Sequence, residues 1–301
     1  DTISCTATAT DADGGTDTNT DSVSVDNTAP VLSSVTVAPS SSVTTGSTLT
    51  CSATATDSDG GSPTVSYAWT NGTSSLGTSS SLTLTSSTAS PSDTITCTAT
   101  ATDSDGGTDT GAGSVTVSNS TPYFTTSAAI SPSSGVTTTT SLTCSASAGD
   151  SDGGTPTLSY AWVNVSAGTT LGSGTALSLT NTTSAPSDVI RCTVTATDTD
   201  GGSNTSSITV SVDNTDPIVA SVSISPTSGV KVTSTLTCSA TATDADGGSP
   251  TITYAWTNGS STLGTSSSLT LSASTASTGD TITCTATATD ADGGTDTSSD
   301  T

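Results

Sequence analysis

The sequence predicts an all-β chain, a tandem array of β-sandwiches with one disulfide each. Three observations predict it. Apolar residues alternate with Thr and Ser at a period of two, the spacing of a strand with one buried face. Seven cysteines, Cys5, Cys51, Cys97, Cys144, Cys192, Cys238 and Cys284, recur so that alternate ones lie 92 to 95 residues apart. A Tyr-Ala-Trp returns in every second interval between cysteines, at Tyr67–Trp69, Tyr160–Trp162 and Tyr254–Trp256.

Each period has the same order. A strand carries the first Cys (Leu49-Thr50-Cys51), Tyr67-Ala68-Trp69 follows, then Leu82-Thr83-Leu84, and then a second strand, Asp93-Thr94-Ile95-Thr96-Cys97. Around the second cysteine Ile95, Cys97, Ala99 and Ala101 face one way and Thr94, Thr96, Thr98, Thr100 and Thr102 the other. Leu49, Cys51, Ala53 and Ala55 repeat the pattern, and Val65, Tyr67 and Trp69 form a third inward face. Short runs separated by Gly, Pro and Asp turns complete the sandwich signature. The order gives three natural pairs, Cys51–Cys97, Cys144–Cys192 and Cys238–Cys284, with Cys5 left over. Each bridge closes a loop of about 46 residues, worth roughly 4 kcal/mol in the chain-entropy model.

Residues 1–22 nearly duplicate residues 280–301. Cys5 therefore reads as the second cysteine of an upstream repeat, and the chain as a window on a longer array. The expected divisions are 1–29, the end of an upstream repeat; 30–121 and 122–216, two whole repeats; and 217–301, a repeat lacking its last strand. A rival reading makes 1–29 a donor segment exchanged between subunits.

The order Cys51, Trp69, Cys97 resembles the Cys…Trp…Cys core of immunoglobulin-like domains. The run Tyr67-Ala68-Trp69-Thr70-Asn71-Gly72 is also similar to the third strand and turn of bacterial and archaeal Ig-like and PKD-type surface repeats. The resemblance implies Greek-key sandwiches in an adhesin or filament. Two features depart from it. Ile95 or Ile190 stands where the tyrosine corner would have Tyr, and a Gly-Gly loop intervenes between Cys51 and Trp69.

The 301 residues exceed one core, and only 30% are apolar, so each domain has a thin core that needs its disulfide. Paired cysteines place the chain in an oxidising, extracellular setting at the cell surface. The net charge is −24, all acid is Asp, and Lys231 and Arg191 are the only cationic side chains. Such a chain repels nucleic acid and suits cations. No stretch is long and apolar enough to span a membrane.

Six residues after every cysteine stands Asp-x-Asp-Gly-Gly: Asp11/Asp13, Asp57/Asp59, Asp103/Asp105, Asp150/Asp152, Asp198/Asp200, Asp244/Asp246 and Asp290/Asp292. In an Ig-like topology the loops after the two cysteine strands, B–C and F–G, emerge at one end, where the chain also enters. That gathers these carboxylates near the linkers, with Asp26, Asp213 and Asp216. Carboxylates plus turn carbonyls suit Ca2+, which takes six to eight oxygens, and the logic is similar to that of cadherin-type junctions. The junction Asn119-Ser120-Thr121-Pro122 has no Asp. The competing reading is plain turn chemistry, with Asp capping and Gly at positive φ. Asp93, Asp188 and Asp280 are expected in E–F turns at the opposite end.

With no His and no Glu, the common nucleophile–base pairs are absent, and an Asp pair repeated in every domain suits structure better than catalysis. Asn71, Asn119, Asn164, Asn181, Asn204 and Asn258 head glycosylation sequons. The expected protein is a non-enzymatic, rod-like stalk or filament segment whose partners are neighbouring repeats or other copies of itself, and glycans. The alternative is a carbohydrate- or ligand-binding array, for which exposed aromatics are needed; Tyr123-Phe124 is the one candidate patch.

Overall fold

The computed structural model describes all 301 residues, and every element in it is a strand. Residues before the first repeat form a hairpin, β1 (Thr2–Thr10) and β2 (Thr16–Ser24). Repeat one holds β3 (Val31–Ala38), β4 (Thr48–Thr56), β5 (Thr64–Asn71), β6 (Ser74–Gly77), β7 (Ser81–Thr83), β8 (Thr94–Thr102) and β9 (Thr108–Thr116). Repeat two holds β10 (Tyr123–Ser131), β11 (Ser141–Gly149), β12 (Thr157–Asn164), β13 (Thr169–Ser173), β14 (Ala176–Ser178), β15 (Val189–Thr197) and β16 (Ser203–Ser211). Repeat three holds β17 (Ile218–Ser225), β18 (Thr235–Thr243), β19 (Thr251–Asn258), β20 (Ser261–Gly264), β21 (Ser268–Thr270), β22 (Ile282–Thr289) and β23 (Thr295–Asp300).

Each repeat is two antiparallel sheets, three strands facing four. In repeat one the orders are β3-β4-β7 and β6-β5-β8-β9, and the other repeats copy them. In immunoglobulin lettering these are A-B-E and C′-C-F-G, the Ig-like sandwich. The fourth small strand thus pairs with C rather than with E. In each repeat the register of the C–C′ pair shifts between the Trp and the residue after it.

The disulfide joins the two sheets. Cys51 on β4 meets Cys97 on β8 with Cα atoms 6.4 Å apart, and Cys144–Cys192 and Cys238–Cys284 repeat the bridge at 6.5 and 6.4 Å. All three sit within the ordinary span of an unstrained link. Trp69, directly opposite Cys97 in the ladder, is fully buried. Its indole N–H donates to the Ser79 carbonyl at 2.8 Å, and Trp162 and Trp256 do the same to Gly174 and Ser266. Ala99 and Ala101 are fully buried on β8, the small side chains that a Trp-and-disulfide core needs.

Two expectations change here. The third repeat does not lack its last strand: β23 pairs with β22 from Thr289↔Thr295 to Cys284↔Asp300. Six residues are enough for a ladder, although β9 and β16 have nine each. Contacts also divide the chain differently from the repeats. One compact unit is Asp1–Pro122 with Gly149–Pro156 and Asp198–Gly202; the other is Tyr123–Ala148, Thr157–Thr197 and Ser203–Thr301. The two acidic loops of repeat two therefore group with repeat one, and those of repeat three with repeat two.

Candidate functional site: the acidic loops at the repeat joints

Every Asp-x-Asp-Gly-Gly begins as a local turn. The first carboxylate accepts the backbone N–H of the second Asp: Asp59 N to Asp57 Oδ1 at 2.9 Å, Asp152 to Asp150 at 2.9 Å and Asp246 to Asp244 at 2.8 Å in the B–C loops. The F–G loops do the same at 2.9 Å from Asp105, Asp200 and Asp292 to Asp103, Asp198 and Asp290. Asp11 and Asp13 form the equivalent turn in the hairpin. This is the side-chain turn that Asp favours.

Beyond that the two loops diverge. In the B–C loop the second Asp reaches the linker and the repeat before it. Asp152 Oδ2 accepts the Ser120 N–H at 2.5 Å, and its Oδ1 accepts the Thr45 hydroxyl at 2.6 Å and that of Ser120 at 3.2 Å. Asp246 accepts the Thr215 N–H at 2.6 Å and the Thr138 hydroxyl at 2.6 Å. Thr138 is fully buried and Thr45 nearly so. Asp59 takes the Thr28 N–H at 2.5 Å. In the F–G loop the first Asp reaches the linker instead. Asn27, Asn119 and Asn214 donate their side-chain amides to Asp103, Asp198 and Asp290 at 3.1, 3.1 and 3.0 Å. The linker dipeptide Asn-Thr or Asn-Ser is thus held between one carboxylate of each loop. The prolines that follow, Pro30, Pro122 and Pro217, are buried.

The glycines divide the same way. In the B–C loop both have positive φ, 95° at Gly153 and 84° at Gly154, which an L side chain resists. In the F–G loop only the first does. The second, Gly202, is Gly because a Cβ there would collide with the Asp198 carboxylate and come within 2.7 Å of the Asn119 amide. At Gly294 the same atom would meet Asp216 and Asp290 oxygens at 2.5 Å.

The charges follow from these bonds. The Asn27 amide holds the Asp103 carboxyl below the ordinary aspartate value, with help from the N–H groups of its own loop, and Asn214 does so for Asp290. Partial burial is the largest single influence on Asp198 and pushes it up, but Asn119 and three loop N–H groups outweigh it, so it too is lowered. Asp150 moves the other way: burial raises it, reinforced by Asp152 and Asp198 close by.

The sequence-predicted ligands therefore separate. Asp59, Asp152 and Asp246 join Asp103, Asp198 and Asp290 on the linkers. Asp57, Asp150 and Asp244 stay in their own turns. Asp13, Asp105, Asp200 and Asp292 take no part in the linker bonds, although Asp105 lines an open cleft with Asp1, Asp26, Asn27 and Asp59. Asp216 lies over Gly294, and Asp213 uses its backbone N–H on the Val136 carbonyl. Nowhere do three carboxylates converge as a metal-ligand set. The donors nevertheless suit a hard cation in kind. Asn119 Oδ1, Asn214 Oδ1 and Thr215 Oγ1 are buried without a hydrogen-bond partner, beside these carboxylates.

The Asp-free junction at Asn119 is not the odd one out, since its linker makes the same two bonds as the others. Four expected sequons are otherwise engaged. Asn119 donates to Asp198, and Asn71, Asn164 and Asn258 donate to Asp93, Asp188 and Asp280 at 2.6 Å. Glycan attachment would use those same nitrogens, and Asn164 is 1% exposed. Asn181 and Asn204 are exposed. The E–F aspartates thus clamp strand C within each repeat rather than offering a face to the next. In the Tyr123-Phe124 pair only Tyr123 is exposed; Phe124 packs against the core. Sequence reasoning missed Thr45, Thr138 and the linker Asn. The signal was there in part, since Asn followed by Ser or Thr recurs two residues before the linker proline's predecessor at all three joints.

Residues 217–300 match the immunoglobulin domain family. This is the third repeat, and the other two share its sheet orders and disulfide. No curated protein matches the chain. Among solved structures, a Ca2+-stabilized adhesin that helps an Antarctic bacterium reach out and bind ice is 17% identical, covering 99% of this chain and 80% of that one, with a TM-score of 0.37. A 1.5-MDa bacterial ice-binding adhesin is 15% identical, covering 92% and 98%, with a TM-score of 0.39. A tetra-tandem repeat from the extending region of a large adhesion protein is 19% identical, covering 99% and 81%, with a TM-score of 0.35. At TM-scores this low these likenesses assign no function to the chain.

Proposed function

We propose that the chain is a non-enzymatic spacer segment of an extracellular surface protein, an adhesin stalk or a filament. The observation that carries this reading is the use of the acidic loops. They grip the linker and the foot of the preceding repeat, so the residues most dense in chemistry serve the connection between repeats. Each repeat adds a sandwich held by its own disulfide, which suits an oxidising exterior.

Calcium at the joints is the finer part of the proposal. The residues that would hold it are Asp152 and Asp198 with Asn119 Oδ1, and Asp246 and Asp290 with Asn214 Oδ1, which would have to draw together around the ion. When bound, the ion supplies positive charge between carboxylates that no Lys or Arg neutralises. The unpaired buried oxygens favour it. A second reading, a joint held by hydrogen bonds alone, is favoured by the bonds of Asp152 and Asp246 to Thr45 and Thr138. Small-angle X-ray scattering of the chain in Ca2+ and then in excess EGTA separates them. Calcium joints predict a shorter maximum dimension and a broader ensemble in EGTA; superimposable curves remove calcium from the proposal. A compact particle in both conditions would defeat the spacer reading itself.

A further inference from the structure

The six sequons differ in what their side chains are already doing. Asn71, Asn164 and Asn258 spend their amide N–H groups on Asp93, Asp188 and Asp280, and on the carbonyls of Thr88, Thr183 and Thr275. Asn119 donates to Asp198, and its Oδ1 is buried in the joint. A sugar on any of these nitrogens replaces a hydrogen and crowds a charge-assisted bond that holds a strand or a linker. Asn204 lies inside β16, opposite Ala196 in the ladder, with its Oδ1 on the Thr205 N–H at 2.8 Å. The hydroxyl of that sequon, on Ser206, accepts the Ala128 N–H at 2.9 Å and ties β16 to β10 in the other sheet. Asn181 differs on each count. It stands in the E–F turn between β14 and β15, where a surface sequon belongs, and Thr180, Asn181, Thr182 and Thr183 are all exposed. The hydroxyl of Thr183 bonds inside this turn, accepting the Thr180 N–H at 3.0 Å and donating to the Thr180 carbonyl at 3.1 Å. Opening one turn frees it and disturbs no ladder.

We propose that Asn181 is the N-glycosylation site of this chain and that its glycan stands at the joint between repeats two and three. The step is a glycosyl transfer from a glycosyl diphosphate donor. The Asn181 amide nitrogen bonds to C1 of the sugar, the C1–O bond to phosphate breaks, the amide gives up one proton and the diphosphate leaves. Asn181 borders a cleft of about 390 Å³, lined also by Ala167, Thr169, Thr170, Leu171 and Thr182, which leaves room for the first sugar beside the turn. On its other side the Asn181 amide nitrogen comes within 3.4 Å of where a Cβ on Gly247 would stand, so the side chain lies against the B–C loop of repeat three. That is the loop whose Asp246 holds Thr138 and the Thr215 N–H. A glycan rooted there shields this joint from solvent and protease. The equivalent turn in repeat one places Ser86 against Gly153, and the turn in repeat three carries Ala273. Of the three E–F turns, therefore, only the one in repeat two takes the modification.

The test is to secrete the 301-residue protein from a eukaryotic cell, whose dolichol-linked oligosaccharide meets all six sequons. Occupancy is read on the soluble, disulfide-bonded product by enzymatic deglycosylation in heavy-oxygen water and peptide mass spectrometry. The expected result is a single glycan, on Asn181, which Asn181→Gln removes without loss of secretion. A second measurement does not depend on folding in the cell. Protein made without glycans, already folded, is given UDP-glucose and a soluble N-glucosyltransferase, and should gain one hexose, on Asn181. An empty Asn181 in the folded product of both experiments would overturn the proposal and leave the spacer reading standing. Equal occupancy of any second sequon in folded protein would overturn it too, because the clamps on the other Asn side chains would then not decide the site.

Discussion

The B–C and F–G loops of one repeat carry the same five-residue motif and perform different tasks. In repeat two, Asp150-Ser151-Asp152-Gly153-Gly154 uses its second carboxylate on the preceding repeat and linker, while Asp198-Thr199-Asp200-Gly201-Gly202 uses its first on the linker amide. Their local turns are alike; what surrounds them is not. The B–C loop faces Thr45 and the Ser120 N–H, and the F–G loop faces the side chain of Asn119. The lesson is that a motif fixes its own turn, and its neighbours choose which of its atoms matter.

The sharpest way to break this comparison is to delete the second Asp in each loop. Asp152→Ala should cost about 2–3 kcal/mol, because the half-buried carboxylate and its bonds to the Thr45 hydroxyl and to the N–H and hydroxyl of Ser120 are lost, leaving the Ser120 N–H without that partner. Asp200→Ala should lie within about 0.5 kcal/mol of the parent. Urea unfolding of both variants checks this, and equal losses would mean that the loops act alike.

Next in size is the pair of glycines. Gly202→Ala should cost about 2 kcal/mol by forcing the Asp198 and Asn119 side chains apart. Gly201→Ala, strained only in its own φ of 94°, should cost about 1 kcal/mol. Thermal melts that reverse the order would remove the close linker contact from the account.

Thr138→Val keeps the shape and deletes one hydroxyl, leaving the Asp246 oxygen without its donor. A loss of about 1 kcal/mol, with greater mobility between repeats two and three in spin-label distance measurements made in EGTA, is the expected outcome. No change in either would mean that the bonds of Asp213, Asn214 and Thr215 hold the joint without Thr138.

Acid should divide the loops with the smallest effect. Asp198, Asp103 and Asp290 have lowered values in the folded state, so their contribution is present above the ordinary aspartate value and is lost as pH falls through the lower folded one. Asp150 is raised, so its ionised form costs stability at neutral pH and that cost disappears as pH falls through its raised value. Melts in EGTA between pH 7 and about 3 should show a slight gain before the loss. Asp150→Asn should abolish the gain.

Much of the fold was legible because it is local and periodic. Alternation placed Ile95, Cys97, Ala99 and Ala101 on one face, and all four are buried. The placement of Trp69 between two cysteines gave the core. The joint was less legible. Fourteen motif aspartates look equivalent in sequence, and the structure uses six of them on the linkers. The sequons are a further case: Asn71 and Asn164 share a triplet pattern with exposed Asn181 and Asn204, and only the structure shows that their amides are bound to Asp93 and Asp188.

By itself the sequence determined the strands, the disulfide pairing order, the repeat length and the turn in every Asp-x-Asp-Gly-Gly, since each depends on residues adjacent in the chain or duplicated at a fixed interval. Only the tertiary structure decided that C′ joins strand C, that Gly202 is required for space rather than for φ, and that Thr45 and Thr138 meet the next repeat. The last of these joins groups about a hundred residues apart in sequence, Thr45 with Asp152 and Thr138 with Asp246. No local pattern encodes which oxygen such a partner will reach; packing of one repeat's foot against the next repeat's loops does.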